Sequence, residues 1–275
     1  MPELSLLLPM AAMILAIGAF AGVLAGLLGV GGGIVLVPAF FYAFRVLGYD
    51  SPDLMQLCLG TSLATIIVTS LRSGMAHHRK GAVDWEILRG WAPGIVVGAI
   101  AGVALVAGLS SRPLQAIFGA LAIVVGLYMT FGRSNWRLGE RMPDGPLRWV
   151  LSPLVGFLSV LMGIGGGSFG VPLMTLYGVP IHRAVATAAF FGLAIAMPSV
   201  VGFLMIRPEV VPPFTLGAVN GVAFLLVIAM TLITAPLGAR LAHWMEPGPL
   251  KRVFGLFLTA VALNMIYEAV SAGAA

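Results

Sequence analysis

Ten apolar segments follow one another along this chain of 275 residues, and charged side chains are nearly absent from their interiors. They are Leu4–Leu28, Ile34–Leu47, Leu54–Ser73, Ile87–Ala107, Pro113–Phe131, Trp149–Ile164, Ser168–Gly178, Ala184–Ile206, Phe214–Ala235 and Leu250–Val270. A helix needs about 20 apolar residues to cross a hydrocarbon core of about 30 Å, and eight of the segments are long enough. Composition removes the alternatives. Apolar residues make up 60% of the chain and Asp, Glu, Lys and Arg only 9%, where a soluble domain carries roughly 25% charged residues. A water-soluble enzyme is excluded, and so is a disordered chain, which needs low hydrophobicity and high charge. The expected fold is an all-α polytopic membrane protein. Its 36 glycines are too irregular for collagen and suit close packing of membrane helices.

The second and seventh segments are short, reaching only ~21 Å and ~16 Å as helices. Each follows a glycine-rich break, which predicts broken or hairpin-like membrane segments. If every segment reverses the chain, one side receives Arg72, Arg79, Lys80, Arg89, Arg133, Arg137, Arg141, Arg148, Arg183, Arg240, Lys251 and Arg252. The other side receives Arg45, Arg112 and Arg207. Basic residues collect on the cytoplasmic side, so the first side faces inward and both termini face outward. Trp85, Trp91, Trp136, Trp149 and Trp244 fall near the same side, as an aromatic belt would. The first segment reads as a retained helix, since no basic region precedes it. The net charge of +5 belongs to cytoplasmic loops, not to a nucleic-acid surface. The single cysteine, Cys58, excludes an internal disulfide.

The chain divides near its middle. Residues 1–131 form a first membrane repeat, 132–148 a basic linker rich in Arg, Gly and Pro, and 149–275 a second repeat. Gly29-Val-Gly-Gly-Gly-Ile-Val-Leu-Val-Pro38 in the first matches Gly163-Ile-Gly-Gly-Gly-Ser-Phe-Gly-Val-Pro172 in the second. Further on, Leu59-Gly60-Thr61-Ser62 matches Val185-Ala186-Thr187-Ala188. With five segments in each, the second repeat enters from the opposite side, which predicts two inverted repeats. Secondary transporters built this way place their sites at the repeat interface, between discontinuous helices, and short Gly-interrupted segments at matching places point there.

Consecutive glycines at a helix start expose several backbone N–H groups at the positive end of the helix dipole, an anion site without a charged side chain. The candidate ligands are Gly31, Gly32 and Gly33 in the first turn and Gly165, Gly166, Gly167 and Ser168 in the second. Packing alone is the competing reading of these turns, and their duplication with Val-Pro favours the site. Thr61, Ser62 and Thr187 could complete the shell, or bond carbonyls of their own helices instead. Ser62 has no hydroxyl counterpart in the second repeat. Gly22 with Gly26, and Gly94, Gly98 and Gly102, are spaced by four and read as packing surfaces.

No lysine follows either turn, so neither is a P-loop, and a dinucleotide fingerprint needs a preceding strand. Every Asp and Glu lies in a loop or near a segment end. No carboxylate is therefore expected at mid-membrane to bind a metal or relay protons. Arg72 could attract an anion, though snorkelling to the cytoplasmic interface is the simpler reading. His77 and His78 read as part of a solvated basic loop with too few ligands for a metal. No cofactor and no metal are expected.

The glycine phrases, the Val-Pro endings, Gly60-Thr61-Ser62, His77-His78-Arg79-Lys80-Gly81-Ala82-Val83-Asp84-Trp85 and the C-terminal Pro236-Leu-Gly-Ala-Arg-Leu-Ala-His243 resemble the sulfite exporter TauE/SafE family over almost the whole chain. The resemblance implies a permease for sulfite, sulfonates or related small anions in a bacterial cytoplasmic membrane, a secondary transporter and exporter. Two other classes stay open: an anion channel using the same turns as a filter, and an intramembrane enzyme on a lipid-linked phosphate. The enzyme would need a nucleophile or acid–base pair that the sequence does not offer.

Overall fold

The computed structural model describes the backbone of residues 4–28, 33–132, 136–242 and 247–271. Among them are ten helices: α1 (Leu4–Leu28), α2 (Gly33–Val46), α3 (Leu54–Arg79), α4 (Trp85–Ala107), α5 (Ser111–Phe131), α6 (Gly145–Leu161), α7 (Gly167–Leu176), α8 (Ile181–Met205), α9 (Gly221–Ala242) and α10 (Pro247–Ser271). A two-stranded hairpin, β1 (Thr215–Leu216) and β2 (Val219–Asn220), precedes α9. The protein is thus all-α and polytopic. Among the described residues, α3, α4, α5, α8, α9 and α10 contain stretches long and apolar enough to cross a membrane. The sixth segment, expected to be long enough to span, instead forms the 17-residue α6, short like the helices after the glycine breaks, which have 14 and 10 residues, because the glycine stop that follows ends it at Leu161.

Two differences from the sequence reading matter. First, α3 runs to Arg79, so His77 and His78 occupy its last turn rather than a loop. His78 packs edge-on against Trp85, which in turn meets Phe190, a cluster that keeps the helix going past the apolar run. Second, the expected start of the ninth segment is not helical. Pro212 and Pro213 supply no backbone donors, and residues 215–220 pair as the hairpin instead.

Helix pairing is close because glycines face backbone. On α1, a Cβ at Gly18 would sit 3.0 Å from the Val227 Cα, and one at Gly22 2.9 Å from the Thr231 Cα. On α4, a Cβ at Gly98 would strike the Pro153 carbonyl, and one at Gly102 would reach Val160 at 2.9 Å. Small residues that let backbones approach are the usual device of membrane packing, as the spacing of Gly94, Gly98 and Gly102 predicts; the surroundings of Gly26 lie outside the described residues. These contacts fix direction. Ascending numbers meet ascending numbers in α1 with α9 and in α4 with α6, so each pair is parallel. Gly74 of α3 faces Phe190 and Gly60 faces Phe203, so α3 and α8 are antiparallel. Gly119 and Gly126 of α5 face Ile266 and Thr259, making α5 and α10 antiparallel as well. The helices α2 and α7 pack on α3 and α8 respectively.

The two ends of the bundle differ in charge. The starts of α3, α5 and α9 and the ends of α2, α4, α8 and α10 share one end. The Gln56 amide donates to the Val106 and Leu109 carbonyls there, and Arg45 pairs with Asp50 and Glu268. That end carries Arg45, Arg112 and Arg207. The opposite end carries Arg79, Lys80, Arg89, Arg148 and Arg183. We call them the sparse end and the basic end.

Candidate functional site

The bend between α6 and α7 begins as a helix stop. Gly163 has φ +59°, a left-handed conformation that costs glycine little. Its N–H donates to the Val160 carbonyl at 2.9 Å, and that of Ile164 donates to Ser159 at 2.9 Å. This is the paired bonding of a glycine C-terminal stop. The chain then restarts as α7 at Gly167, and the Gly170 N–H donates to the Gly166 carbonyl at 2.8 Å. The N–H groups ahead of Gly170 have no intrahelical acceptor, as at any helix start.

Three other elements close on this bend. The start of α2 lies against it: a Cβ on Gly33 would be 2.9 Å from the Gly163 carbonyl oxygen and 3.2 Å from the Ile164 Cα. From α3, the Ser62 hydroxyl donates to that same carbonyl at 2.7 Å, and Ile66 flanks Gly165. From α8, Ala188, Phe191 and Gly192 back Gly166, and the Ser70 hydroxyl of α3 lies over Gly192 beside the Gly166 nitrogen. The two glycine phrases, 134 positions apart in sequence, thus meet in space. Gly31 and Gly32 lie outside the described residues.

Packing accounts for part of this glycine content. A Cβ on Gly166 would fall 2.4 Å from the Phe191 Cβ and 2.6 Å from the Ala188 carbonyl, so no larger residue fits without moving α8. Gly165 differs. Its nearest neighbour would be the Ile66 Cγ2 at 3.2 Å, a side-chain atom that can give way.

Ser168 carries a second observation. Its side chain is buried, and its hydroxyl has no hydrogen-bond partner among the described residues. Buried hydroxyls are nearly always paired, and leaving one unpaired costs about 1–3 kcal/mol. The unpaired hydroxyl belongs to the second residue of α7, among orphan N–H groups and at the positive end of the helix dipole. The donors gathered here are neutral and stand among apolar side chains, and the Gly163 carbonyl is already taken by Ser62. Such donors suit an anion shed of its water. Among the described residues no cluster of three His, Cys, Asp or Glu side chains could hold a metal.

The hydrogen bonds that Thr61 and Thr187 accept lead away from this bend, and neither hydroxyl bonds a carbonyl of its own helix, the alternative offered by sequence. The Thr61 hydroxyl accepts the Asn220 N–H at 2.9 Å, and the Thr187 hydroxyl accepts the Asp84 N–H at 3.0 Å. Asn220 and Asp84 are the cap residues of α9 and α4: their side-chain oxygens accept the N–H groups of Ala223 at 2.8 Å and Ile87 at 3.2 Å. Each threonine therefore ties its half of the chain to a helix start in the other half. The Asp84 carboxylate also pairs with Arg183 at 3.0 Å. Asn220, fully buried, further donates to the Pro213 carbonyl and the Thr215 hydroxyl. Sequence reasoning passed over Asn220 and read Asp84 only as part of a motif, not as a cap. A signal existed, since Asp and Asn before an apolar helix are favoured caps. Arg72 is exposed on α3, six residues beyond Ile66 toward the basic end, and is not brought to the glycine bend.

The architecture is that of an all-α polytopic membrane protein, and comparison with known proteins makes it a membrane transporter. The profile of the sulfite exporter TauE/SafE family matches residues 14–265, and the chain belongs to that family. It is 34% identical to a "Probable membrane transporter protein" of Haemophilus influenzae, over 92% of this chain and 97% of that one. It is 25% identical to one from Methanocaldococcus jannaschii, over 96% and 97% of the two chains. One from Bacillus subtilis is 26% identical over 94% and 98%. No solved structure gives a significant match.

Proposed function

We propose that this transporter is a secondary carrier of small sulfur-containing anions, of the sulfite or organosulfonate class, and that it exports them across a bacterial cytoplasmic membrane by alternating access. The carrying observation is the buried, unpaired hydroxyl of Ser168 at the start of α7. It is a donor kept ready for an acceptor that the described residues do not supply. Gly33, Ser62 and Gly165 to Gly167 hold that position at the meeting of the two halves, and Gly31 and Gly32 would extend it from the first half. Family membership supports the substrate class.

In this reading the halves are inverted repeats. The antiparallel runs of α3 with α8 and of α5 with α10 support it, as does the reciprocal pattern of Thr61 with Asn220 and Thr187 with Asp84. The basic end faces the cytoplasm and both termini face outward, in keeping with the charge asymmetry. Each reciprocal pair closes one mouth: Thr187, Asp84 and Arg183 the cytoplasmic one, Thr61 and Asn220 the outer one. Interhelical hydrogen bonds in membranes average about 0.6 kcal/mol. Breaking the bonds of one mouth then costs on the order of 1 kcal/mol, which leaves the open state within thermal reach. An anion bound at the bend biases which mouth opens by as much as its affinity differs between the states.

Counterflow tests the reading. Proteoliposomes loaded with unlabelled sulfite are given labelled sulfite outside, with sulfonates as competitors. A carrier accumulates label transiently above equilibrium, and competition ranks the substrates. Folded protein without counterflow overturns the sulfite carrier, and unitary currents under the same gradient replace it with a channel.

A further inference from the structure

A cavity of about 560 Å³ lies at the sparse end, between α4 and α8 and away from the glycine bend. Its walls are Ile100, Val103, Ala104 and Ala107 of α4 facing Pro198, Gly202 and Met205 of α8. The helices touch at its back, where a Cβ on Gly202 would meet the Val103 Cγ1 at 2.5 Å. In front they part, because Ala104 and Ala107 are too small to fill the space. Ile100 and Met205 stand on the lips at 54% and 78% exposure. On a membrane-spanning bundle those lips face lipid, so the cavity opens sideways into the bilayer. From Ile100 to Ala107 the groove runs about 10 Å along the helix axis.

The mouth of the groove is charged. Asp53 and Arg207 line it there. The Asp53 carboxylate accepts the Glu209 N–H at 3.3 Å, which holds the segment carrying Arg207 alongside the start of α3. Arg207 and Asp53 are not ion-paired with each other, and Arg207 has no ion-pair partner among the described residues. Gln56 anchors the same corner by its two hydrogen bonds to the end of α4.

A separated cation and anion at headgroup depth, above an apolar slot open to the bilayer, complement one kind of molecule. We propose that this groove binds a phospholipid with a zwitterionic, amine-bearing headgroup, of the phosphatidylethanolamine type. The phosphate lies on Arg207, the ammonium on Asp53, and one acyl chain fills the slot between α4 and α8. Lipid tails are as apolar as the groove walls, so the slot gains little by transfer alone and the headgroup contacts set the preference. A small hydrated anion finds a donor at the mouth, in Arg207, but none on the α4 and α8 walls to replace the rest of its water. The proposal does not depend on what the glycine bend carries.

Native mass spectrometry of the full chain, released from mild detergent with equal amounts of phosphatidylethanolamine, phosphatidylglycerol and phosphatidylcholine, tests it. One phosphatidylethanolamine per chain is expected to persist in preference to the others. Ala104→Trp fills the slot at an exposed position and is expected to reduce that adduct about tenfold, and Arg207→Gln and Asp53→Asn to erase the headgroup preference. Ala107→Trp serves as a second filling variant should the first lose its fold. Retention of phosphatidylethanolamine by a folded filled variant overturns the proposal, as does equal retention of all three lipids. Displacement of the adduct by soluble phosphoethanolamine at matching concentration overturns it too, and leaves a solute site.

Discussion

The hydroxyl of Ser62 donates a 2.7 Å hydrogen bond to the carbonyl of Gly163, joining the third helix of the first half to the glycine bend of the second. Both groups are buried, so the bond has no competition from water. Ser62→Ala leaves that carbonyl unpaired. A loss of about 1–3 kcal/mol in stability follows, and thermal unfolding in detergent measures it. Ser62→Thr, which keeps the hydroxyl, is expected to lose less.

The two neighbouring glycines of the bend separate packing from binding. Gly166→Ala drives a Cβ into the α8 backbone at Ala188 and is expected to give little monodisperse protein. Gly165→Ala presses on the flexible Ile66 side chain at 3.2 Å and reaches only ordinary contact with the Gly192 Cα at 3.6 Å. It is expected to fold and to transport poorly, since the added methyl stiffens and crowds the approach to the N–H groups. Size-exclusion profiles and uptake rates, taken on both variants, read the two effects apart.

The charged mouth and the neutral mouth are expected to respond differently. Arg183 is 46% exposed, and a solvent-screened pair of this kind contributes about 0–1 kcal/mol. Arg183→Gln therefore leaves overall stability nearly unchanged and weakens only the cytoplasmic closure. A cysteine introduced at Ala188 is then expected to react faster with a thiol reagent supplied from the basic end. Asn220→Ala removes the α9 cap and the bonds to Pro213 and Thr215 together. It is expected to destabilise by at least the ~1 kcal/mol of a lost cap, and thermal unfolding shows it.

The helices were legible because a bilayer imposes one rule on every span, and length and apolarity report it directly. The meeting of the two glycine phrases was legible for a related reason: a duplicated Gly-Gly-Gly break needs two helix stops, and Gly163 supplies one in the left-handed region. What stayed hidden depends on partners far along the chain. Thr61 and Thr187 matched each other in sequence, but their hydroxyls accept from Asn220 and Asp84, 159 and 103 positions away. No local pattern in α3 or α8 encodes those distances. The continuation of α3 through His77 and His78 was hidden likewise, since it rests on Trp85 and Phe190 from other helices. The hairpin at 215–220 was missed because hydropathy alone does not distinguish an apolar strand from the start of a span.

The central claim is that the Ser168 hydroxyl exists for a ligand rather than for the fold. Ser168→Ala removes a buried group with no partner among the described residues, so thermal stability is expected to hold or rise slightly. A hydrogen bond to a charged group is worth about 1.5–3 kcal/mol, so the anion concentration for half-maximal counterflow is expected to rise at least about tenfold. Measuring both quantities on the one variant in proteoliposomes decides it. Intact stability with weakened anion dependence is the predicted result. Counterflow of unchanged concentration dependence, or a loss of stability that accounts for the loss of transport, contradicts it.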